Sequence, residues 1–315
     1  PSNPILTHRH LGKEYPIRYV GHADLVNVPA EMTLSGEEKW YMVCLASRPY
    51  QGHTMLGRET FLAEVVWEDG WPVVNPGKGK LTKEAVIDLP ESEIGEQDSS
   101  ITFHCDKLPD KMLMLRNPGG DAYSLQAHKG CLRLPLKNSS LKSYESPAFA
   151  GVRQTAFYFE ASTAFQFFPE NETEAAGLVI FQSNQFHLKL QIVKRKEYAV
   201  AQAVFVKALT ADGMINGDVK KLPVTEELLF EEKICKIKES NCYRIRISCD
   251  GIKVSAFADS DDSGIMEKRF AKKIPIEALS TEAAGGFVGN LIGLFAESEE
   301  QESRNHADFL FFDIL

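Results

Sequence analysis

Two short stretches carry side chains with chemistry to offer. One reads Val20-Gly21-His22-Ala23-Asp24-Leu25-Val26, the other Leu56-Gly57-Arg58-Glu59-Thr60. In each, a polar group sits beside small residues between apolar runs. Gly21 and Ala23 leave room around the His22 imidazole, and Gly57 lets the backbone come close beside the Arg58 guanidinium. An imidazole N–H and a guanidinium fork are fixed hydrogen-bond donors. A small neutral ligand that offers hydroxyls, such as a sugar, needs donors of this kind. Taken alone, a histidine in an apolar segment also reads as a satisfied core residue, so the surrounding sequence has to supply the weight.

The elements that must position these groups are short strands. The chain has 315 residues, enough for about two domains. Its 43% hydrophobic and 25% charged content are those of an ordinary globular protein. A net charge of -9 without a basic stripe argues against a nucleic-acid surface, which needs a Lys/Arg excess. No apolar run reaches the roughly 18–20 residues that span a bilayer, so no membrane partner is expected. No apolar leader stands at residue 1, and the residues point to no compartment. The cysteines are Cys44, Cys105, Cys131, Cys235, Cys242 and Cys249. They form no CxxC pair and mostly lie inside apolar runs, which predicts small buried thiols rather than a disulfide framework.

All three tryptophans, Trp40, Trp67 and Trp71, fall in residues 1–80. Lys39 to Leu45 reads as a buried strand. Phe61 to Trp67 and Trp71 to Val74 flank Glu68-Asp69-Gly70, a strong hairpin signal. Residues 81–100 form the expected linker, within a polar stretch rich in Gly, Lys, Glu and Ser. Beyond it, residues 101–315 read as repeated short strands: Thr155 to Ala161, Thr163 to Phe168, Leu178 to Gln182, Phe186 to Val193, Tyr198 to Val206, Tyr243 to Ser248, Ile252 to Ala258, Phe287 to Ala296 and Phe309 to Leu315. Tyr243, Ile245 and Ile247 alternate with Arg244 and Arg246, so one face is apolar and one charged. No segment keeps a helical period over three turns. The fold class is all-β, and this second part reads as a β-sandwich.

Further motifs sharpen the picture. Asn3-Pro4-Ile5-Leu6-Thr7-His8-Arg9-His10-Leu11-Gly12, Gly21-His22-Ala23-Asp24, Trp40-Tyr41-Met42-Val43, Leu56-Gly57-Arg58-Glu59-Thr60 and Trp67-Glu68-Asp69-Gly70-Trp71-Pro72-Val73-Val74 occur in that order. Together they resemble the last part of the catalytic β-propeller of glycoside hydrolase family 43, in its two-domain β-xylosidases and α-arabinofuranosidases. Leu115-Arg116-Asn117-Pro118, the run from Pro147 to Gln154, Glu174-Ala175-Ala176-Gly177-Leu178, Gly285-Gly286-Phe287-Val288-Gly289 and Ala307-Asp308-Phe309 resemble the accessory lectin-like sandwich (jelly roll) of the same enzymes.

The resemblance implies that residues 1–80 are the end of a five-bladed propeller. It implies an inverting hydrolysis in which one carboxylate activates water and one carboxylic acid protonates the leaving oxygen, about 6.5–9.5 Å apart. The base, the acid and a tuning Asp all lie before the His22 position in the family, so no catalytic residue is expected in this chain. The remaining blades are expected on the same or a second polypeptide, and an oligomer is expected. His22 matches the histidine at the floor of the sugar site, Arg58 the arginine that reaches substrate hydroxyls, and Phe287 a sandwich phenylalanine at the pocket rim. Val288 and Asn290 stand where members often carry Thr and Ala. Some members hold a metal ion near the histidine. The resemblance leaves a structural calcium open, names no metal ligand here and implies no other cofactor.

Other acidic groups fit structural roles. Asp24 and Glu59 are expected to partner His22 and Arg58. Asp259, Asp261 and Asp262 are expected in a solvated loop, and Glu297, Glu299, Glu300 and Glu302 in a solvated connection. The implied function is part of an exo-glycosidase that releases terminal xylose or arabinofuranose from a xylo- or arabino-oligosaccharide. The alternative is a non-catalytic carbohydrate-binding or structural sandwich.

Overall fold

The computed structural model describes residues 3–92, 99–208, 223–261, 268–299 and 301–315. Asp262, Glu300 and residues 93–98 of the expected linker lie outside the described residues. The chain forms two compact units, Pro1–Gln97 and Asp98–Leu315.

The first unit is a four-stranded antiparallel meander in chain order: β1 (Arg18–Val28), β2 (Lys39–Ser47), β3 (Glu59–Glu68) and β4 (Trp71–Val74). The β3–β4 turn is the Asp69-Gly70 pair, with φ of 49° and 76°. Two positive φ values are what a tight hairpin turn of this hand demands, and Asp-Gly supplies them at least strain. One sheet face carries Met42, Cys44, Ala46, Ala63, Val65 and Val74, packed with Ile17 and Leu81. His8 ties this packing together. Its Nδ1–H donates to the Ile17 carbonyl at 2.9 Å, and its Nε2 accepts from the Leu81 amide at 2.9 Å. The opposite face leaves Val26, Val66 and Trp71 42%, 41% and 45% exposed.

The second unit holds β5 (Ser100–Thr102), β6 (Leu132–Pro135), β7 (Ala148–Arg153), β8 (Tyr158–Phe167), β9 (Glu174–Ser183), β10 (Phe186–Arg195), β11 (Tyr198–Ala208), β12 (Val224–Lys236), β13 (Cys242–Asp250), β14 (Lys253–Ser260), β15 (Lys268–Pro275), a short helix α1 (Thr281–Ala284), β16 (Leu291–Ser298) and β17 (His306–Ile314). One sheet runs β12-β11-β10-β9-β16-β7. The other runs β15-β14-β13-β8-β17-β5, with β6 also paired to β17. Phe165 stacks on Phe309 at 5.0 Å and meets Tyr243 at 6.0 Å, and all three rings are fully buried. Arg244 is exposed and Arg246 is half-buried, on the other face of β13.

Strand β10 is buried on both faces. Leu188, Leu190 and Ile192 take one face, and His187, Lys189, Gln191 and Val193 the other. On the latter side Leu141 packs onto Phe149, Val179, Phe181 and Phe295. Beside that patch Lys189, Gln191, Gln202, Glu226 and Glu297 line a groove of about 400 Å³.

The structure departs from the sequence expectations in four places. Residues 158–167 form one unbroken strand rather than two. Strands β12 and β15, rich in Glu and Lys, carry the outer positions of the two sheets, where charge blunts an open edge. Phe287 precedes β16 instead of opening it. Glu297 is not solvated: it is 2% exposed and pairs with Lys189 Nζ at 2.9 Å, because β9 carries only Ala175 and Gly177 beside it on the intervening strand. Glu299 is half-buried and bridges to Lys142, whereas Glu302 is exposed. Asp261 pairs with Arg244 at 3.0 Å. All six cysteines are free thiols, with Cys105 exposed and Cys44, Cys131, Cys242 and Cys249 buried.

Candidate functional site

The site in the first unit is made by a slip in strand pairing. Between Arg18 and Gly21, and again between Gly21 and Asp24, three steps of β1 face two of β2. The extra residues put Tyr19 and His22 in the left-handed region, at φ of 54° and 53°. A bulge of this kind re-aims its side chain away from the regular pleat. His22 is exposed as a result. Arg58 ends the connection from β2 and immediately precedes β3.

The two groups meet: Arg58 Nη1 lies 3.1 Å from His22 Nδ1. A guanidinium has only donors, so His22 Nδ1 must present its lone pair. With its lone pair on Nδ1 turned to Arg58, the ring carries an N–H on Nε2. The pair brings an imidazole and a guanidinium together, two hydrogen-bonding groups of the kind that suits hydroxyls.

Glu59 pairs with a different arginine from the one expected. Glu59 receives a two-pronged contact from Arg48, Nε to Oε2 at 2.9 Å and Nη2 to Oε1 at 2.6 Å. Neighbouring residues on a strand project to opposite faces, so Glu59 turns from the side that Arg58 serves. Arg48 was invisible as its partner because the two are eleven positions apart. A hollow of about 360 Å³ in this unit is lined by Arg48, Glu59, Phe61, Thr82 and Ile87, not by His22 or Arg58. Among the described residues, no group of three or more His, Cys, Asp or Glu is arranged to hold a metal ion.

Phe287 belongs to the second unit. It is 58% exposed at the tip of residues 285–290, between α1 and β16. Gly285 and Gly286, at φ of 77° and 73°, turn the chain outward there. Buried amides hold both feet of this loop. Gln182 Nε2 donates to the Gly285 carbonyl at 3.3 Å, and Asn290 Nδ2 donates to Gln154 Oε1 at 3.0 Å. The sequence reading gave these three no role; Gln182 closes an apolar run, Gln154 follows one after Arg153, and Asn290 stands directly before one.

An antiparallel four-stranded meander followed by a two-sheet, lectin-like β-sandwich defines the class of fold. The chain belongs to glycosyl hydrolase family 43: residues 1–72 match the family's own model, and residues 100–314 match the model of the beta xylosidase C-terminal Concanavalin A-like domain. It is 38% identical to a xylosidase/arabinosidase of Butyrivibrio fibrisolvens, across all of this chain and 56% of that protein. It is 32% identical to the non-reducing end alpha-L-arabinofuranosidase BoGH43B of Bacteroides ovatus, across 99% of this chain and 54% of that protein. A solved Bacteroides ovatus GH43B structure from a xyloglucan locus superposes with a TM-score of 0.82 at 29% identity, covering all of this chain and 57% of that one. The chain thus spans little more than half the length of the relatives it matches.

Proposed function

We propose that this chain is the C-terminal part of an inverting exo-glycosidase that releases terminal xylose or arabinofuranose from xylan-derived oligosaccharides. The observation that carries the reading is the His22–Arg58 contact at 3.1 Å, which brings an imidazole and a guanidinium together at one exposed place. The names of the relatives, xylosidase/arabinosidase and arabinofuranosidase, support the sugar class. Under this reading His22 and Arg58 hold the sugar. The general base, the general acid and the tuning Asp come from propeller blades before residue 1, on the same or a second polypeptide.

Exposed apolar residues on the second face of the four-stranded sheet support the same reading. Val26, Val66 and Trp71 are exposed apolar residues on that face, of the kind a neighbouring blade would cover. The test is an assay of the purified 315-residue chain, alone and joined to its upstream blades, on aryl β-xyloside and aryl α-arabinofuranoside. The chain alone should be silent, since general acid and base groups are each worth roughly 10²–10⁴ in rate. The joined protein should turn over. Ordinary turnover by the chain alone, persisting through further purification, would show a carboxylate pair inside it.

A further inference from the structure

The face of the six-stranded sheet that carries Lys189 and Gln191 holds the groove of about 400 Å³, and the groove lies wholly in the second unit. That volume falls within the roughly 300–1,000 Å³ of small-molecule sites. Adjacent strands build its floor in register. Ala175 of β9 stands opposite Val193 of β10, Gln191 of β10 opposite Gln202 of β11, and Val204 of β11 opposite Leu228 of β12.

A directed chain of amides crosses this floor. A carboxylate only accepts hydrogen bonds, so Gln202 turns its Nε2 to Glu231 Oε2, at 2.6 Å. Gln202 Oε1 is then left to accept, and it receives Gln191 Nε2 at 3.2 Å. The chain ends at Gln191 Oε1, a buried acceptor without a hydrogen-bond partner among the described residues. Gln191 is 5% exposed and Gln202 is 2% exposed. A buried acceptor left unmatched costs stability, and Leu or Met would fill either position without that cost.

The charges around the amides are matched among themselves. Lys189 Nζ lies 2.9 Å from Glu297 Oε1 and 3.6 Å from Glu226 Oε1, and Lys142 Nζ reaches Glu226 Oε1 at 2.7 Å. At the rim Arg195 lies 3.9 Å from Glu172. Matched charges favour a neutral ligand over an ion, and Gln191 Oε1 calls for a ligand that donates. Ala175, Val193 and Val204 add apolar surface against which the C–H face of a sugar ring can rest. We propose that this groove binds a neutral saccharide, with Gln191 Oε1 accepting a hydrogen bond from a sugar hydroxyl. The site goes beyond the reading of His22 and Arg58 and does not depend on it.

The experiment titrates the 315-residue chain with xylotriose and with arabinotriose by calorimetry, and with spermidine and sulfate as cationic and anionic probes. Saturable binding of either trisaccharide is expected, unchanged in Arg58→Ala. In Gln191→Met it should weaken about 2–10-fold, the size of one neutral hydrogen bond. Leu228 lines the groove and is 51% exposed, so Leu228→Arg lays a long side chain over the opening and should weaken binding at least as much. A parent chain that binds neither trisaccharide overturns the proposal, as does binding that survives both groove variants. If Arg58→Ala abolishes binding and the groove variants do not, the sugar sits at His22 and Arg58: that reading stands and this one falls. Saturation by spermidine or sulfate in place of a trisaccharide assigns the groove to an ion and likewise overturns the proposal. If Gln191→Met loses its cooperative thermal transition, Leu228→Arg decides alone, and an unchanged affinity there is fatal.

Discussion

Lys189 Nζ stands 2.9 Å from Glu297 Oε1, with both side chains 3% exposed. Leu141 N–H donates to the other oxygen, Glu297 Oε2, at 3.1 Å. Burial opposes ionisation of Glu297, but the Lys189 charge, its hydrogen bond and the Leu141 amide outweigh it and hold the carboxyl below its ordinary range. Lys189 is likewise held charged: burial pulls its pKa down, and Glu297 and Glu226 raise it by more. Lys142 bridges Glu226 at 2.7 Å and reaches Glu299, so the pair anchors the segment that carries Leu141.

Removing one partner of this pair should be far worse than removing both. Lys189→Met leaves Glu297 charged and buried, and a loss of about 3–5 kcal/mol is expected. The double replacement Lys189→Met with Glu297→Leu should recover much of that. Chemical unfolding of the four proteins checks it. A single variant with an unchanged midpoint would mean that the groove hydrates the stranded charge.

His187 gives the sandwich a distinct pH dependence. Its ring is fully buried, its Nδ1–H donates to the Ser183 carbonyl at 3.1 Å, and Nε2 is a buried acceptor without a partner. Burial, aided by the Lys189 charge, pushes its pKa down from 6.5 to about 4. The folded value is depressed, so the stability it contributes is present above pH 6.5 and lost as pH falls toward 4. The total is on the order of 3 kcal/mol, with a slope approaching ~1.4 kcal/mol per pH unit. His187→Leu should flatten the stability profile in that window. Glu297 and Asp308, both held below the ordinary carboxylate range, should add their own losses at lower pH. Denaturant midpoints measured across pH 4–8 for both proteins decide this, and parallel profiles would refute it.

Arg58 should act through its fork. In the full-length polypeptide, Arg58→Ala removes both the charge and the donor that fixes the His22 tautomer. A lost hydrogen bond to a charged group, about 1.5–3 kcal/mol, corresponds to a fall in kcat/KM of roughly 10–100-fold. Arg58→Lys keeps the charge and loses the planar fork, so it should fail almost as badly. Thermal midpoints should move little. Near-normal kcat/KM in Arg58→Ala, or a stability collapse matching the lost rate, would make Arg58 a structural residue.

Val66 and Trp71, exposed on the second face of the four-stranded sheet, should make the 315-residue chain associate. Trp71→Glu with Val66→Lys places charge on that face without touching the packed side, where Met42, Ala63 and Val65 sit. Sedimentation over a range of concentrations should show association in the parent chain and less in the variant. A parent that stays monomeric throughout would mean that the exposed face needs no cover.

Local chemistry was readable without coordinates. Asp69-Gly70 announced its hairpin because a tight turn needs positive φ at two positions, and the alternation of Tyr243, Ile245 and Ile247 with Arg244 and Arg246 announced which face of β13 is core. The motifs around His22 and Arg58 also pointed to the right family. Strands β12 and β15 escaped notice because their charges answer to a sheet edge, and only the order of strands creates an edge. Nor could the sequence say that Arg58 contacts His22 while Glu59 takes Arg48. That depends on a bulge that slips β1 against β2, a matter of register between strands. Glu297 read as one of several surface acids because its partner, Lys189, lies 108 residues away. Periodicity and turn chemistry are properties of a few adjacent residues, so the chain alone determines them. A buried charge is tolerable only where folding delivers its counter-ion, so its place was decided by tertiary structure.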